Sequence, residues 1–206
     1  MSQTSMKKII FALVVLSLSL KVGVLHVTAQ TQPEDWSPPI NLSLSGSTEG
    51  PVAVLDNTGI FHVVWLDEFS GAMYSTLTDG EWSAPVHVAF PFDGSTPRLV
   101  LDATDRIHAF WLGIDNFEGI LYYSSVNAKD FGSTQWSPTR QLSDTAVTFD
   151  VVVAQDNSLH LTYLRAIDSA QFPAGVYYLQ KVPNFDRWTA SVPLYQSPYL
   201  RLLTSE

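Results

Sequence analysis

Short apolar runs recur along the chain, each followed by a polar turn and a second run that carries a histidine. Pro51-Val52-Ala53-Val54-Leu55 is matched by Pro97-Arg98-Leu99-Val100-Leu101 and by Phe149-Asp150-Val151-Val152-Val153. Aliphatic, β-branched runs of this length are expected of a first strand covered on both faces. Gly59, Asp105 and Asn157 then stand at matching places, and these residue types tolerate the left-handed backbone that a tight turn requires. The second run reads Phe61-His62-Val63-Val64-Trp65, Ile107-His108-Ala109-Phe110-Trp111 and Leu159-His160-Leu161-Thr162-Tyr163. A third strand is expected after a glycine in each copy, over 71–74, 119–122 and 175–178, and a fourth over Trp82-Ser83 with its tail Val86-His87-Val88, or Trp136-Ser137 with its tail Arg140-Gln141-Leu142. Outside the amino-terminal segment no stretch holds a 3.6-residue apolar period with capping residues, so helices are expected to be nearly absent.

A second marker keeps step with the first. Trp36-Ser37-Pro38-Pro39, Trp82-Ser83-Ala84-Pro85, Trp136-Ser137-Pro138-Thr139 and Trp188-Thr189-Ala190-Ser191 lie 46, 54 and 52 residues apart. Four short strands repeated at such a period describe the blades of a β-propeller; a β-sandwich also has closely spaced strands, but its phrases do not recur in register. The fold class expected is therefore all-β, a partial β-propeller of about three four-stranded antiparallel blades at 43–88, 89–142 and 143–194. Unpaired terminal strands are expected at both ends, one over 35–42 and one opening a further blade at 195–206. Three blades do not close a ring of four to eight, so remaining blades or other chains are needed to close it.

Composition adds limits on partners. The chain has 206 residues, 46% hydrophobic and 12% aromatic, enough for a sizeable core. Its net charge is −9, which excludes nucleic acid as a natural partner because phosphate recognition needs clustered Lys or Arg. Cysteine is absent, and with it disulfides, thiolate metal sites and a Cys nucleophile. Lys7-Lys8, the apolar run 9–20 and Val27-Thr28-Ala29 read as a signal peptide over 1–29 with cleavage after Ala29. An uncleaved anchor is the alternative. The localisation expected is secreted or periplasmic, with no membrane contact beyond that segment and an incomplete propeller over 30–206.

Between 59 and 85 the wording Gly59-Ile60-Phe61-His62-Val63-Val64-Trp65, Tyr74-Ser75 and Asp79-Gly80-Glu81-Trp82-Ser83-Ala84-Pro85 resembles the bacterial neuraminidase repeats of sialidase-like propellers. Those repeats carry an Asp-box, Ser/Thr-x-Asp-x-Gly-x-Thr-Trp, between third and fourth strands. The copies here depart from it: Asp79 stands three residues before Trp82, Asp130 six before Trp136 and Asp186 two before Trp188. The box is a folding device in which the carboxylate accepts turn N–H groups. For chemistry the resemblance implies three arginines on a sugar carboxylate, a Tyr nucleophile with a Glu, and an acid/base Asp. That set is not assignable among Arg98, Arg106, Arg140, Arg165, Arg187 and Arg201, so no catalytic residue is named.

His62, His108 and His160 recur once per repeat and are read as hydrogen-bonded core residues rather than a metal ring; no metal or cofactor is expected. Trp65 and Trp111 are read as packing residues. The connections between second and third strands are the candidate binding face, because each sets acidic or amide groups beside a Phe. The ligand-binding candidates there are Asp67, Glu68, Asp115, Asn116, Glu118, Arg165 and Asp168. The function expected is a recognition or scaffold module toward extracellular glycans. A fragment of a sialidase-like glycoside hydrolase and a protein-binding propeller are the alternatives, since fold does not decide function.

Overall fold

The computed structural model describes residues 37–92, 95–115, 118–166, 172–183 and 185–196. The chain divides into two compact units, 1–40 and 41–206; of the first only 37–40 are described, and residues 1–29, read from the sequence as a signal peptide, lie outside the described residues. No described helix is long and apolar enough to cross a membrane.

The second unit is all-β, with a lone 3-10 turn at Ala128–Asp130 among the described residues. Its first sheet is built from β1 (Thr48–Leu55), β2 (Phe61–Asp67), β3 (Gly71–Thr78) and a split fourth strand, β4 (Glu81–Trp82) and β5 (Val86–His87), both pairing with β3. The split falls at Pro85, which has no N–H to give to a ladder. The second sheet runs in order β6 (Arg98–Leu101), β7 (Arg106–Asp115), β8 (Glu118–Asn127), β9 (Arg140–Ala146). The third repeats it with β10 (Thr148–Val153), β11 (Leu159–Arg165), β12 (Gly175–Lys181) and β13 (Val192–Gln196). All pairings are antiparallel and, apart from β3 with β5, join sequence neighbours. β9 continues past the boundary expected at 142, and Tyr195 and Gln196 pair with Val176 and Gly175 of the third sheet rather than opening a further one. Residues 37–47 form no strand, so the leading strand is not formed over its described part; the trailing segment 197–206 lies outside the described residues.

Each sheet buries one face on the next in chain order. Val54, Val64 and Tyr74 of the first meet Ile107, Ala109 and Trp111 of the second in one apolar cluster. Phe110, Leu121 and Tyr123, on the opposite face of the second sheet, meet Leu159, Leu161 and Tyr177 of the third in another. Trp136 and Trp188 are wedges at these junctions: Trp136 lies 5.6 Å from Phe92 and 5.4 Å from Phe131, and Trp188 lies 5.9 Å from Phe110 and 5.3 Å from Tyr123. Trp65 and Trp111 are buried, as expected of packing residues.

The first strands differ from the expectation of two covered faces. β1 lies beside β6 and β6 beside β10, but Leu55 and Val152 are exposed, each 56%. Each first strand ends its own sheet and meets its neighbour edge to edge, so one row of side chains is left uncovered. Arg98 and Asp150 bridge β6 and β10 across this row at 3.2 Å.

The serine of the Trp-Ser phrase has a backbone task. Ser83 N–H donates to the Thr76 carbonyl at 2.8 Å, and the Ser83 hydroxyl accepts the Thr76 N–H at 3.0 Å. Ser137 does the same with Ser125, and Thr189 with Gln180. The hydroxyl substitutes for a ladder carbonyl where a proline or a bend takes the main chain away from the third strand.

Candidate functional site

At one end of the sheets the turns between first and second strands are closed by carboxylates. Asp56 Oδ1 accepts the Thr58 and Ile60 N–H groups at 2.9 and 2.8 Å and the Thr58 hydroxyl at 2.8 Å; Asp102 repeats this with Thr104 and Arg106. Gly59, Asp105 and Asn157 have φ of 89°, 63° and 66°, the left-handed conformation expected at these places. The side chains of Asp105 and Asn157 also accept the N–H of Asn57 and Ala103 in the preceding sheet, at 3.0 and 2.9 Å, so each turn is tied to the next.

The other carboxylate oxygen holds the histidine. Asp102 Oδ2 is 3.1 Å from His108 Nε2, and His108 Nδ1 is 2.9 Å from the Tyr123 hydroxyl; His62 lies likewise between Asp56 and Tyr74. An ionised carboxylate only accepts, so Nε2 carries the proton and Nδ1 accepts from the tyrosine. In the third sheet Ala154 takes the place of Asp56 and Asp102, as the Ala154-to-Ser158 turn bond shows. Ser158 fills the gap, accepting from His160 Nε2 at 2.7 Å and donating to Asp156 at 2.6 Å, while the Tyr178 hydroxyl meets Nδ1 at 2.6 Å. His62 and His108 are the hydrogen-bonded core histidines expected from the sequence, and His160 is hydrogen-bonded likewise but only half-buried. The equivalent tyrosine of the second sheet is Tyr123, one residue beyond the expected Tyr122, because the β7–β8 hairpin pairs as far as Asp115 and Glu118.

Burial holds His108 below the ordinary imidazole range, an effect that Asp102 offsets only in part. Burial would raise Asp102, but hydrogen bonds from His108, Thr104 and the Arg106 amide outweigh it and hold the carboxyl well below the usual range. The signs agree on acid lability. Below about pH 6.5 the unfolded chain takes up a histidine proton that the folded chain refuses, so stability from His108 is lost as pH falls through that value; the Asp102 contribution is lost at lower pH still. We expect Tm to drop between pH 7 and 5, and the drop to be shallower in His108→Gln, whatever that variant's Tm at pH 7.

The opposite end, where second strands turn into third, holds the candidate binding surface. Asp67 ends β2 and accepts the Phe69 and Ser70 N–H groups at 3.1 and 2.9 Å. A hydrogen bond from Ser45, with these two, keeps its carboxyl below the usual range. Capping the turn directs the next residues outward: Glu68 is exposed and bonded to the Ser47 hydroxyl, and Phe69 is 84% exposed. A cavity of about 410 Å³ lies here between Gly46, Ser47, Glu49, Leu66, Asp67 and Glu68. A second, of about 370 Å³, shares Glu49 and Leu66 and extends to Ser95, Thr96, Leu112 and Phe149. Together they form a trough with acidic and hydroxyl-bearing walls and an apolar floor.

Of the candidates, Asp67 and Glu68 are brought together in this trough. Arg165 lies at the same end of the third sheet, 3% exposed. It pairs with Asp144 (2.5 and 3.3 Å), donates Nε–H to the Phe172 carbonyl at 3.1 Å and lies 5.5 Å over the Phe172 ring, beside a cavity of about 240 Å³. Asp115 and Glu118 face each other at the end of the β7–β8 ladder, and Asn116 and Asp168 lie outside the described residues. The trough residues that sequence reasoning missed, Ser47, Glu49 and Thr96, lie in and just before first strands and carry no phrase of their own. No group of three or more described His, Asp or Glu residues is arranged to hold a metal.

No protein-family model matches the chain, and no curated protein does. Two solved structures are similar to it in part. One is an ulvan lyase of a new polysaccharide lyase family, PL25, at 12% identity and TM-score 0.47, covering 73% of this chain and 40% of that one. The other is the α-L-arabinofuranosidase PaAbf62A from Podospora anserina in complex with cellotriose, at 15% identity and TM-score 0.46, covering 71% and 50%. The chain spans half or less of the length of either. Both are carbohydrate-active enzymes by name.

Proposed function

We propose that the chain is an exported segment of a β-propeller, a degenerate relative of the sialidase-like repeats, that recognises extracellular saccharides without catalysis. Three features support the propeller: the directional stacking of sheets, the edge-to-edge succession of first strands, and the ties from turn to turn. Further blades, from a longer chain or other copies, close the ring.

The observation that carries the binding reading is Phe69, exposed and next in the chain to Glu68, which lines the trough. A capped turn that presents an aromatic ring to solvent next to carboxylates and hydroxyls matches a sugar, which offers one apolar C–H face and a rim of hydroxyls. Glu49 and Glu68 accept from those hydroxyls, and Ser47 and Thr96 donate or accept. The acidic walls favour neutral saccharides over acidic ones. Of the other candidates, Asp115 and Glu118 pair at the end of the β7–β8 ladder, and Arg165, buried and paired with Asp144, borders the separate cavity of the third sheet. A glycan array probed with residues 30–206 tests this. We expect neutral glycans to bind, and Phe69→Ala to weaken the best of them about tenfold, the loss of one stacked ring, with Tm unchanged. An empty array, or affinity unmoved by Phe69→Ala and Glu68→Gln, would overturn it.

A further inference from the structure

At the end of the sheets that carries the capped turns, the first junction is filled and the second is open. Phe131, fully buried, closes the first with its ring 5.3 Å from His62, 5.4 Å from Tyr74 and 5.4 Å from Trp136. The loop that delivers it spans ten positions from Val126 to Trp136; its counterpart in the third sheet spans seven, from Lys181 to Trp188. The shorter loop leaves its own phenylalanine, Phe185, 64% exposed. What remains is a cleft of about 370 Å³, in which Tyr123, Ser125 and Ser137 of the second sheet face Lys181 and Phe185 of the third, with Arg106 at the turn.

Two departures from the repeat meet in that cleft, and both are cations. Lys181 pairs with Leu159 where Val126 pairs with Ile107 and Leu77 with Phe61, so a lysine occupies a place that is apolar in the other two sheets. Arg106 stands where the first sheet has Ile60 and the third Ser158. Arg106 donates to Ser125 Oγ at 3.2 Å and to Asn127 Oδ1 at 3.4 Å, and Lys181 Nζ to the Phe185 carbonyl at 2.9 Å. Neither has a carboxylate within 4 Å among the described residues, although Arg98, Arg140 and Arg165 each do and the chain carries 20 acidic residues against 11 basic. The two carboxylates that line the cleft are engaged, Asp102 by its turn and His108, and Asp186 by Arg140 at 3.0 Å. Partial burial of a cation that no carboxylate contacts directly costs free energy; it draws the Lys181 ammonium below its ordinary range, Arg106 and Arg140 adding to the effect and the more distant Asp186 and Asp102 offsetting it in part. A bound anion offsets that cost.

We propose that the cleft between the second and third sheets binds an oxyanion, a sulfate or a carboxylate, through Arg106 and Lys181, with the Ser125 hydroxyl completing its shell. The site is independent of the trough, which lies at the other end of the sheets. The test titrates the full chain with sodium sulfate, and separately with sodium glucuronate, at an ionic strength held constant with sodium chloride. Tm is the readout, because ligand binding to the folded state raises it. We expect a saturable rise of about 2–4 °C with at least one of the two. Half-saturation should shift about tenfold in Lys181→Leu, and the response should vanish in Arg106→Ile/Lys181→Leu, whose new residues are those of the first sheet. Lys181→Met, which keeps the aliphatic stem, replaces the double variant should that fail to fold. A rise with sulfate alone assigns a tetrahedral anion, and a rise with glucuronate a sugar acid. No saturable rise with either, or an equal rise in the variants, overturns the proposal.

Discussion

Replacing Asp102 with alanine should destabilise the chain by about 3–5 kcal/mol, the cost of removing one partner from a buried charged network. The carboxylate satisfies four donors at once: the Thr104 N–H and hydroxyl, the Arg106 N–H and His108 Nε2. Asp102 and His108 are both buried at the inner wall of the cleft, so water replaces only part of what alanine withdraws, and the donors left behind keep much of their desolvation penalty. The third sheet supplies the control. There Ala154 already occupies the equivalent place, and Asp156 serves only the N–H and hydroxyl of Ser158 from an exposed position. Asp156→Ala should therefore cost far less than Asp102→Ala, and Asp102→Asn, which still accepts at one oxygen, an intermediate amount. Urea denaturation followed by tryptophan fluorescence measures all three. If Asp102→Ala and Asp156→Ala came out equal, the relay would not be what holds the turn.

The same comparison shows where the sequence could be read and where it could not. Strand order, the turn glycine with its Asp and Asn substitutes, and the core histidines were legible because each depends on residues within about ten positions of one another. The loss of the carboxylate in the third copy was hidden by a near match. Asp156-Asn157-Ser158 looks like Asp56-Asn57-Thr58, yet the turn bonds place Ala154, not Asp156, at the capping position. Pattern reading aligns letters, whereas the hairpin aligns left-handed residues. In the trough, Asp67 and Glu68 were visible as an acidic pair beside a phenylalanine, but Ser47, Glu49 and Thr96 come from other strands and only the stacking of sheets brings them near. Lys181 and Arg106 gave no signal, since a cation is conspicuous only once its uncharged counterparts in the other sheets are known. Exposure at Leu55 and Val152 was misread for a related reason: a β-branched run reports strand propensity and not which edge meets a neighbour.

Truncating Phe131 to alanine should cost about 3–5 kcal/mol, the range for a fully buried phenylalanine whose cavity cannot collapse. Collapse is resisted on every side. The ring is held by His62, Tyr74, Phe90 and Trp136 at 5.3–5.4 Å, and the first two are fixed by their own hydrogen bond. Phe185→Ala removes the phenylalanine of the equivalent loop, but from an exposed place, and should change stability by less than about 0.5 kcal/mol. The pair separates two explanations of the loop. If its length alone matters, both variants should behave alike; if Phe131 is the plug that the seven-residue version cannot deliver, only the first should unfold early in urea. Phe131→Ala also converts the first junction toward the open form of the second, with Ile60 and Leu77 standing where the natural cleft has Arg106 and Lys181. An apolar cavity of that kind stays dry, so the variant should gain no response to sulfate beyond that of the unaltered chain. A new sulfate response there would mean that any opening at this end draws anions, whichever side chains line it.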